Sequence, residues 1–402
     1  MSTANRRTLL KSALAGSASL AFGTAASPWV CAQENSATAL LGQSYVDVHQ
    51  FGAKGDGKTD DTAAIQAALD AVAQIGSLRQ PVAVFMPPGV YCSRRLTMRS
   101  NTALIGIPAF DYERPGGSQI KLIDASAPCL LDISGTRGVT IQGLCLIGGD
   151  LGSKVHGIMR DDPDPSTHPD AKENAHRIDT CQIMHFTGDG VRMIHCWCWN
   201  IRHSMVAYNG GDGIYFDGWD CWVLDCWLSD NKGAGFGAHG PWNSAVTMTG
   251  NRIEWNNQHG VLIENSGSMF QVTGNYFDYS YLAGIAVLSP KNNDPCGHIT
   301  ITGNFFYRSG SAAAKNSPDC SHIRLEGACG VTCVGNSFKA GDQSGNLTGP
   351  CSPSYGIYHR NLENCVITNN VLHKGAMTEL INGTGGAGVV VDNNPGSLLT
   401  VP

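Results

Sequence analysis

The stretches TMTGNRI (Thr247 to Ile253), QVTGNYF (Gln271 to Phe277), TITGNFF (Thr300 to Phe306), TCVGNSF (Thr332 to Phe338) and VITNNVL (Val366 to Leu372) superimpose without a gap. Each is an apolar alternation, a tight step of Gly-Asn or Asn-Asn, and a second alternation. The position held by Asn251 recurs as Asn275, Asn304, Asn336, Asn370 and Asn394, and backwards it falls on Cys226, Ser204, Cys181 and Leu144. From Ser204 onward the steps are 22, 25, 24, 29, 32, 34 and 24 residues by subtraction, so whatever joins the units tolerates insertion. Self-similarity at this period is the mark of a solenoid, in which each unit buries its apolar face against its neighbours.

Leucine-rich repeats would place Leu at fixed positions and add a helix per unit. Here the units are period-2 segments separated by Gly and Asn, with no 3.6-residue stripe. The expected fold is therefore all-β: a single-stranded parallel β-helix of about ten or more coils. Three short strands and their turns fit a coil of this length, with coils about 4.8 Å apart. Asn suits the inner corner because it tolerates the left-handed conformation, and its amide can bond to the Asn above and below.

One continuous core is expected over residues 33–402, with regular coils over 138–394. Charged residues make up only 15% of the chain, against roughly 25% in ordinary soluble domains, while there are 49 Gly. Short strands and tight corners account for both. A net charge of -6 argues against nucleic acid or an anionic membrane as partner. Nothing in the sequence separates a monomer from a homotrimer.

Residues 1–32 have the form of an export signal. Asn5-Arg6-Arg7-Thr8-Leu9-Leu10-Lys11 resembles a twin-arginine motif, an apolar stretch follows, and Val30-Cys31-Ala32 fits a small-residue cleavage site. A mature chain starting at Gln33, periplasmic or secreted and no longer tied to a membrane, is the expectation. Cleavage removes Cys31 from the 15 cysteines and leaves 14. Twin-arginine cargo crosses folded from a reducing cytoplasm, so most of these are expected as small apolar core residues; Cys320, Cys329 and Cys351, near loops, are the candidates for pairing.

Residues 45–91 carry a second informative stretch: FGAKGDGKTDDTAAIQ from Phe51 to Gln66, preceded by Tyr45-Val46-Asp47-Val48 and followed by Pro87-Pro88-Gly89-Val90-Tyr91. Physically it is a strand, a Gly-rich turn, a helix and a strand. Asp60 and Asp61 suit the helix start, and Ile65, Leu69 and Val72 give one apolar face as far as Gly76. The first coil of a solenoid has an open apolar end, so this helix is expected as its N-terminal cap. The stretch resembles the N-terminal motif of the pectate lyase superfamily, in the branch described as rhamnogalacturonase/epimerase-like pectate lyase domains. The resemblance implies a right-handed helix and action on polysaccharide.

Each coil has a strand introduced by Gly: GVRMI from Gly190, GIYFD from Gly213, GFGAH from Gly235, GVLIE from Gly260, GIAVL from Gly284. The first and third residues after Gly are expected to point inward and the second and fourth outward. Asp217, His239 and Glu264 then lie on consecutive coils along one outer face, with the outer pair about 9.6 Å apart at Cα, and Arg192 and Tyr215 beside them. Polar outer faces occur on any β-helix, so the aromatic residues bear on the choice. All seven Trp after the signal lie between 197 and 255. Indoles stack on the C–H faces of sugars, so Trp199, Trp219, Trp222 and Trp242, with Asp220, are the candidate substrate-binding residues. For Trp222 and Trp255 the alternative is a stacked aromatic core or a cover for one face.

The stretch Asp161-Asp162-Pro163-Asp164, with His168, Asp170 and His176, offers oxygen ligands for calcium, although a Pro-rich polar run is more often a solvated loop. No cofactor is otherwise called for, and no metal-binding Cys pattern is present. The Asn-Thr-Asp, Asp-Asp and Gly-His-Gly set of polygalacturonase-like hydrolases and the Arg-x-x-Pro-x-x-Arg of calcium-dependent pectate lyases are both missing, so neither mechanism carries over. Two enzyme readings stay open. In β-elimination on a uronic-acid polymer, Arg192 is the neutraliser and His239 or Tyr215 the base. In inverting hydrolysis, Asp217 and Glu264 are acid and base. The rival is a glycan-binding protein without turnover.

Overall fold

In the computed structural model, residues 44–75, 82–163, 173–241, 243–289, 294–339, 351–373 and 377–396 are described, all within one compact unit, Leu41–Pro402. The export signal expected over 1–32 lies outside them. Every strand pairing within the named sheets is parallel. A 12-stranded sheet takes one strand from each coil, and a 22-stranded sheet takes the others. The register follows the repeat: Arg252, Tyr276, Phe305, Ser337 and Val371 stack in one column, as do Ile214, Phe236, Val261, Ile285 and Ile323 in another. Inward positions fill with Val, Ile and aromatic rings; Phe277, Phe306 and Phe338 stack at 4.7 and 5.3 Å, each worth about 1.5–3 kcal/mol of burial.

The expected Asn ladder is present. Asn251, Asn275, Asn304, Asn336 and Asn370 each donate a side-chain N–H to the side-chain oxygen of the next, ending at Asn394, at 2.9–3.0 Å. The left-handed conformation, however, belongs to the residue before each ladder Asn: Gly274, Gly303 and Gly335 at φ 66°, 65° and 68°, and Asn369 at 57°. A Cβ on those glycines would meet nothing, so glycine serves there only for its φ. A second ladder, Asn209–Asn231–Asn256, lines the other corner.

The cap forms as expected. The helix Thr62–Ile75 buries Ile65, Leu69 and Val72 over the first coil. Asp60 Oδ1 accepts from Thr62 N–H at 3.1 Å and starts the helix. Asp61 has a different task from the one expected: its buried carboxylate accepts from Lys54 and Gly55 N–H at 2.7 and 3.0 Å and shapes the Gly-rich turn. Gly55 itself is at φ 62°, and a Cβ there would fall 2.8 Å from the Tyr91 ring.

Twelve of the 14 described cysteines are buried. No disulfide joins Cys320, Cys329 and Cys351, contrary to the expectation for loop cysteines; Cys320 Sγ lies 3.3 Å from Ser354 Oγ, inside the coil stack.

Candidate active site

The strands after Gly190, Gly213, Gly235 and Gly260 alternate as the pattern requires: Val191, Met193, Ile214, Phe216, Phe236, Ala238, Val261 and Ile263 are buried. Outward from them, Arg192, Tyr215 and Gly237 stack in one register column. Asp217, His239 and Glu264 follow in the next, on successive coils.

The side chains form one continuous network. His239 Nε2 lies 2.6 Å from Asp212 Oδ2, and its Nδ1 lies 2.8 Å from Glu264 Oε1. Burial alone would lower the imidazole pKa, but the Asp212 and Glu264 carboxylates outweigh it and raise it to about 9. His239 is thus an imidazolium at neutral pH. Its ring stacks on Tyr215 at 4.7 Å, and the Arg192 guanidinium carbon sits 4.0 Å from the centre of the same ring, so the phenol lies between two cations. Burial raises the Tyr215 pKa and keeps the phenol neutral, although Arg192 opposes this. Arg192 is steered by Asp189, 2.9 Å from its Nη1. Burial would raise the Asp189 pKa, but His156, Arg192 and the Asp212 N–H together hold it below the usual carboxylate range.

Two glycines make the arrangement possible. A Cβ on Gly237 would fall 2.2 Å from His239 Nε2 and 2.5 Å from Asp212 Oδ2, so only glycine lets the imidazole fold back across the face. A Cβ on Gly240 would fall 2.0 Å from Asp217 Oδ1. The backbone around His239 is tied down by Asn265 Nδ2 to its carbonyl at 3.0 Å and by Asn243 Nδ2 to that of Gly240 at 2.9 Å.

Comparison with known proteins agrees with this architecture. The family described as rhamnogalacturonase A/epimerase, pectate lyase-like, matches residues 45–125, and the right-handed β-helix region matches 170–306 and 243–400, together more than half of the chain. The chain belongs to the pectate lyase-like superfamily of right-handed β-helix proteins. Among its relatives, alginate lyase 7 of Azotobacter vinelandii is 40% identical over 86 residues, 19% of this chain and 9% of that protein. Mannuronan C5-epimerase AlgE6 of the same organism is 28% identical over 191 residues, 42% of this chain and 20% of that one. The chain thus spans at most a fifth of the length of these relatives. The solved A-module of AlgE6 superposes with a TM-score of 0.61 at 21% identity, covering 89% of this chain and 99% of the module. DFA-IIIase from Arthrobacter chlorophenolicus A6, without its lid, gives 0.62 at 14% identity over 89% and 100%. At these identities the superpositions speak for the fold alone.

On this β-helix the tryptophans do not form one surface. Trp199 is fully buried, its Nε1–H bonded to Asn174 Oδ1 at 3.0 Å, and is a core residue rather than a sugar platform. Trp219 stays on the outward side of its strand, two residues beyond Asp217, and packs edge-on against Trp197. Asp220 accepts from Trp197 Nε1–H at 2.6 Å and turns the strand at φ 54°, which carries the exposed Trp222 past the corner to another face. Trp227 lies in the 12-stranded sheet and Trp255 at its corner, while Trp242 lies outside the described residues. The expected calcium stretch fares similarly. Asp162 pairs with Arg160 and accepts from Gly135 N–H, His176 is buried with burial lowering its pKa to about 3, and Asp164, His168 and Asp170 lie outside the described residues. Among the described residues no group of three or more His, Cys, Asp or Glu is placed to hold a metal.

Asp189 and Asp212 were not singled out from the sequence. The signal was there: Gly188-Asp189-Gly190 and Gly211-Asp212-Gly213 repeat the same Gly-Asp-Gly one coil apart, where the next coil has Gly233-Ala234-Gly235.

Proposed function

We infer that this protein is a carbohydrate-active enzyme acting on an acidic, uronic-acid-containing polysaccharide by removal of the proton at C5, the step common to β-elimination and C5 epimerisation. The observation that carries this reading is the stack Arg192–Tyr215–His239, a phenol between two cations on three consecutive coils. A sugar carboxylate is anionic when bound and takes up further negative charge as the C5 proton leaves, and two fixed cations favour that charge most in the transition state. Relatives that carry the names alginate lyase and mannuronan C5-epimerase support the same substrate class.

Arg192 receives the sugar carboxylate. Both nitrogens of His239 are engaged by carboxylates, so the imidazolium serves as the second charge rather than as the base. Glu264, held by His239 and partly open to solvent, takes the C5 proton. Tyr215, kept neutral by burial, donates its hydroxyl proton to the leaving O4 in elimination. The electrons of the C5–H bond become the C4–C5 double bond and those of the C4–O4 bond leave with the oxygen. In epimerisation Glu264 keeps the proton it has taken and Tyr215 gives its own to C5 from the opposite face. Export through the signal at residues 1–32 would bring the enzyme to such polymers outside the cytoplasm.

Incubation of the mature protein with alginate and with polygalacturonate in deuterated water tests the reading. Unsaturated, ultraviolet-absorbing ends or deuterium at C5 are expected. New reducing ends with neither signal would replace it with hydrolysis by Asp217 and Glu264, and no change in any polymer would leave a binding protein.

A further inference from the structure

A second concave site lies away from the Arg192–His239 row, against the 12-stranded sheet. Between Ile105 and Ser118 the chain leaves its coil in a narrow excursion closed by an antiparallel bridge between Pro108 and Gly117. The closure requires glycine: a Cβ on Gly116 would fall 1.9 Å from the Ala109 carbonyl oxygen, and one on Gly117 the same distance from that of Ile107. The tip turns tightly, with Asp111 Oδ1 accepting from Arg114 N–H at 2.9 Å.

It is then pinned across several coils. Gln182 Nε2–H donates to the Asp111 carbonyl at 2.8 Å, Tyr112 Oη meets Ser229 Oγ at 2.8 Å and Asp230 Oδ2, and the Tyr112 ring stacks on Trp227 at 4.4 Å. An excursion held this firmly forms a rigid wall. Between it and the coil corners is a cavity of about 430 Å³, lined by Phe110, Tyr112, Met205 and Trp227 on the apolar side and by Asp111, His203, Asp225 and Arg252 on the polar side. That size falls in the range of small-ligand pockets, roughly 300–1,000 Å³.

We propose that this cavity is a second carbohydrate-binding site that takes one or two pyranose residues of a glycan chain while the chain is worked on elsewhere. The lining suits a sugar. The Phe110 and Tyr112 rings meet ring C–H groups, over a floor that includes the buried Met205. The Asp111 and Asp225 carboxylates accept from hydroxyls, the Arg252 guanidinium donates to ring and hydroxyl oxygens, and His203, its Nδ1 3.1 Å from Asp179 Oδ1, turns Nε2 to the lining. Arg252 is preset for this: its Nε–H is held by Glu254 at 2.8 Å and its guanidinium carbon lies 5.1 Å from the Trp227 ring, so its remaining N–H groups are free of the need to search. Tyr112 and Trp227 already cover one another, so binding orders neither ring and little entropy is lost. With the Asp111 and Asp225 carboxylates in the lining and the Arg252 guanidinium already paired with Glu254, the site suits neutral sugars, unlike the cation-flanked row around Tyr215.

The proposal shares with the proposed function only the view that the ligand is a glycan, and its test reads binding rather than turnover. Electrophoresis of the full mature protein through native gels containing alginate, polygalacturonate or neutral galactomannan gives a dissociation constant for each. Phe110→Ala and Arg252→Gln are expected to weaken retardation about tenfold while turnover of short oligosaccharides stays at the wild-type rate. His239→Ala should do the reverse. Unchanged retardation in both pocket variants, retardation lost in His239→Ala alone, or a wild-type protein retarded by none of the gels would each overturn the second site. Failure of turnover alone would instead count against the C5 chemistry and leave this site standing.

Discussion

Replacing Asp212 by Asn tests the electrostatic core of the site. His239 owes its raised pKa to two carboxylates, with Asp212 at 2.6 Å and Glu264 at 2.8 Å. A hydrogen bond to a charged group contributes about 1.5–3 kcal/mol, which corresponds to roughly one to two pH units. Asn can keep the bond that Asp212 Oδ1 accepts from Ala234 N–H, but its amide then faces His239 Nε2 as a donor and favours the neutral ring. The His239 pKa should therefore fall from about 9 to between about 7 and 8. Because the folded-state pKa lies above the ordinary 6.5, the stabilisation is complete below pH 6.5 and is lost as pH rises through 9. The gap amounts to roughly 3 kcal/mol in the wild type and should shrink to about 1–2 kcal/mol in Asp212→Asn. Two assays read it: NMR titration of the His239 ring proton, identified by its loss in His239→Gln, and the alkaline limb of the kcat/KM profile. If the variant keeps both its ring titration and its alkaline limb near 9, Asp212 does not hold the charge on His239 and the electrostatic account fails.

Gly237→Ala, whose new methyl would collide with His239 Nε2 at 2.2 Å, should cost about 100-fold or more in turnover and lower the melting temperature at neutral pH as the His239–Asp212 pair is displaced, measured by kinetics beside calorimetry. Asn304→Ala removes four hydrogen bonds in the ladder, to Asn275 twice, Asn336 and Val272, and should lower stability by about 3–5 kcal/mol in urea unfolding; a loss under about 1 kcal/mol would mean the ladder is incidental. Alkylation of the native protein should leave most thiols unreacted until denaturant is added, since twelve of the described cysteines are buried, and burial raises the Cys145 pKa to about 11 and those of Cys181, Cys226 and Cys333 to about 12. Five or more disulfides by mass would contradict the reduced core.

The fold was legible because both of its signals are backbone signals. Period-2 alternation fixes which residues face inward, and the Gly-Asn step fixes where each corner falls, so strand register followed from alignment alone. Side-chain placement was legible only up to the next irregularity. Counting outward from Gly190 works as far as Met193, after which the register shifts before Cys196, and His195 and Cys198 take left-handed φ of 51° and 62°. Past that bulge the alternation changes phase, so Trp199 falls in the core and Trp197 outside. Asp220 does the same for Trp222. The pairing of His239 with Asp212 was hidden for another reason: it depends on what is absent at Gly237, and a missing Cβ has no signature apart from the coil below it.

The geometry of stacked coils explains why such a site has no contiguous motif. Coils lie about 4.8 Å apart, so a side chain can hydrogen-bond directly only to its own coil and the two beside it. A row of acid, imidazole and acid must take one member from each of three coils, and here Asp212, His239 and Glu264 are separated by 27 and 25 residues. Insertions at the corners lengthen those gaps without moving the atoms. What must stay fixed is the phase of each residue within its coil and the size of the residue beneath it. The position before the strand glycine supplies the acids Asp189 and Asp212, the second position after it supplies Arg192, Tyr215 and the space at Gly237, and the fourth supplies Asp217, His239 and Glu264. Chemistry of this kind is encoded in columns, and Ala234, which stands where Asp212 and Asp189 stand one and two coils earlier, marks where the acidic column stops.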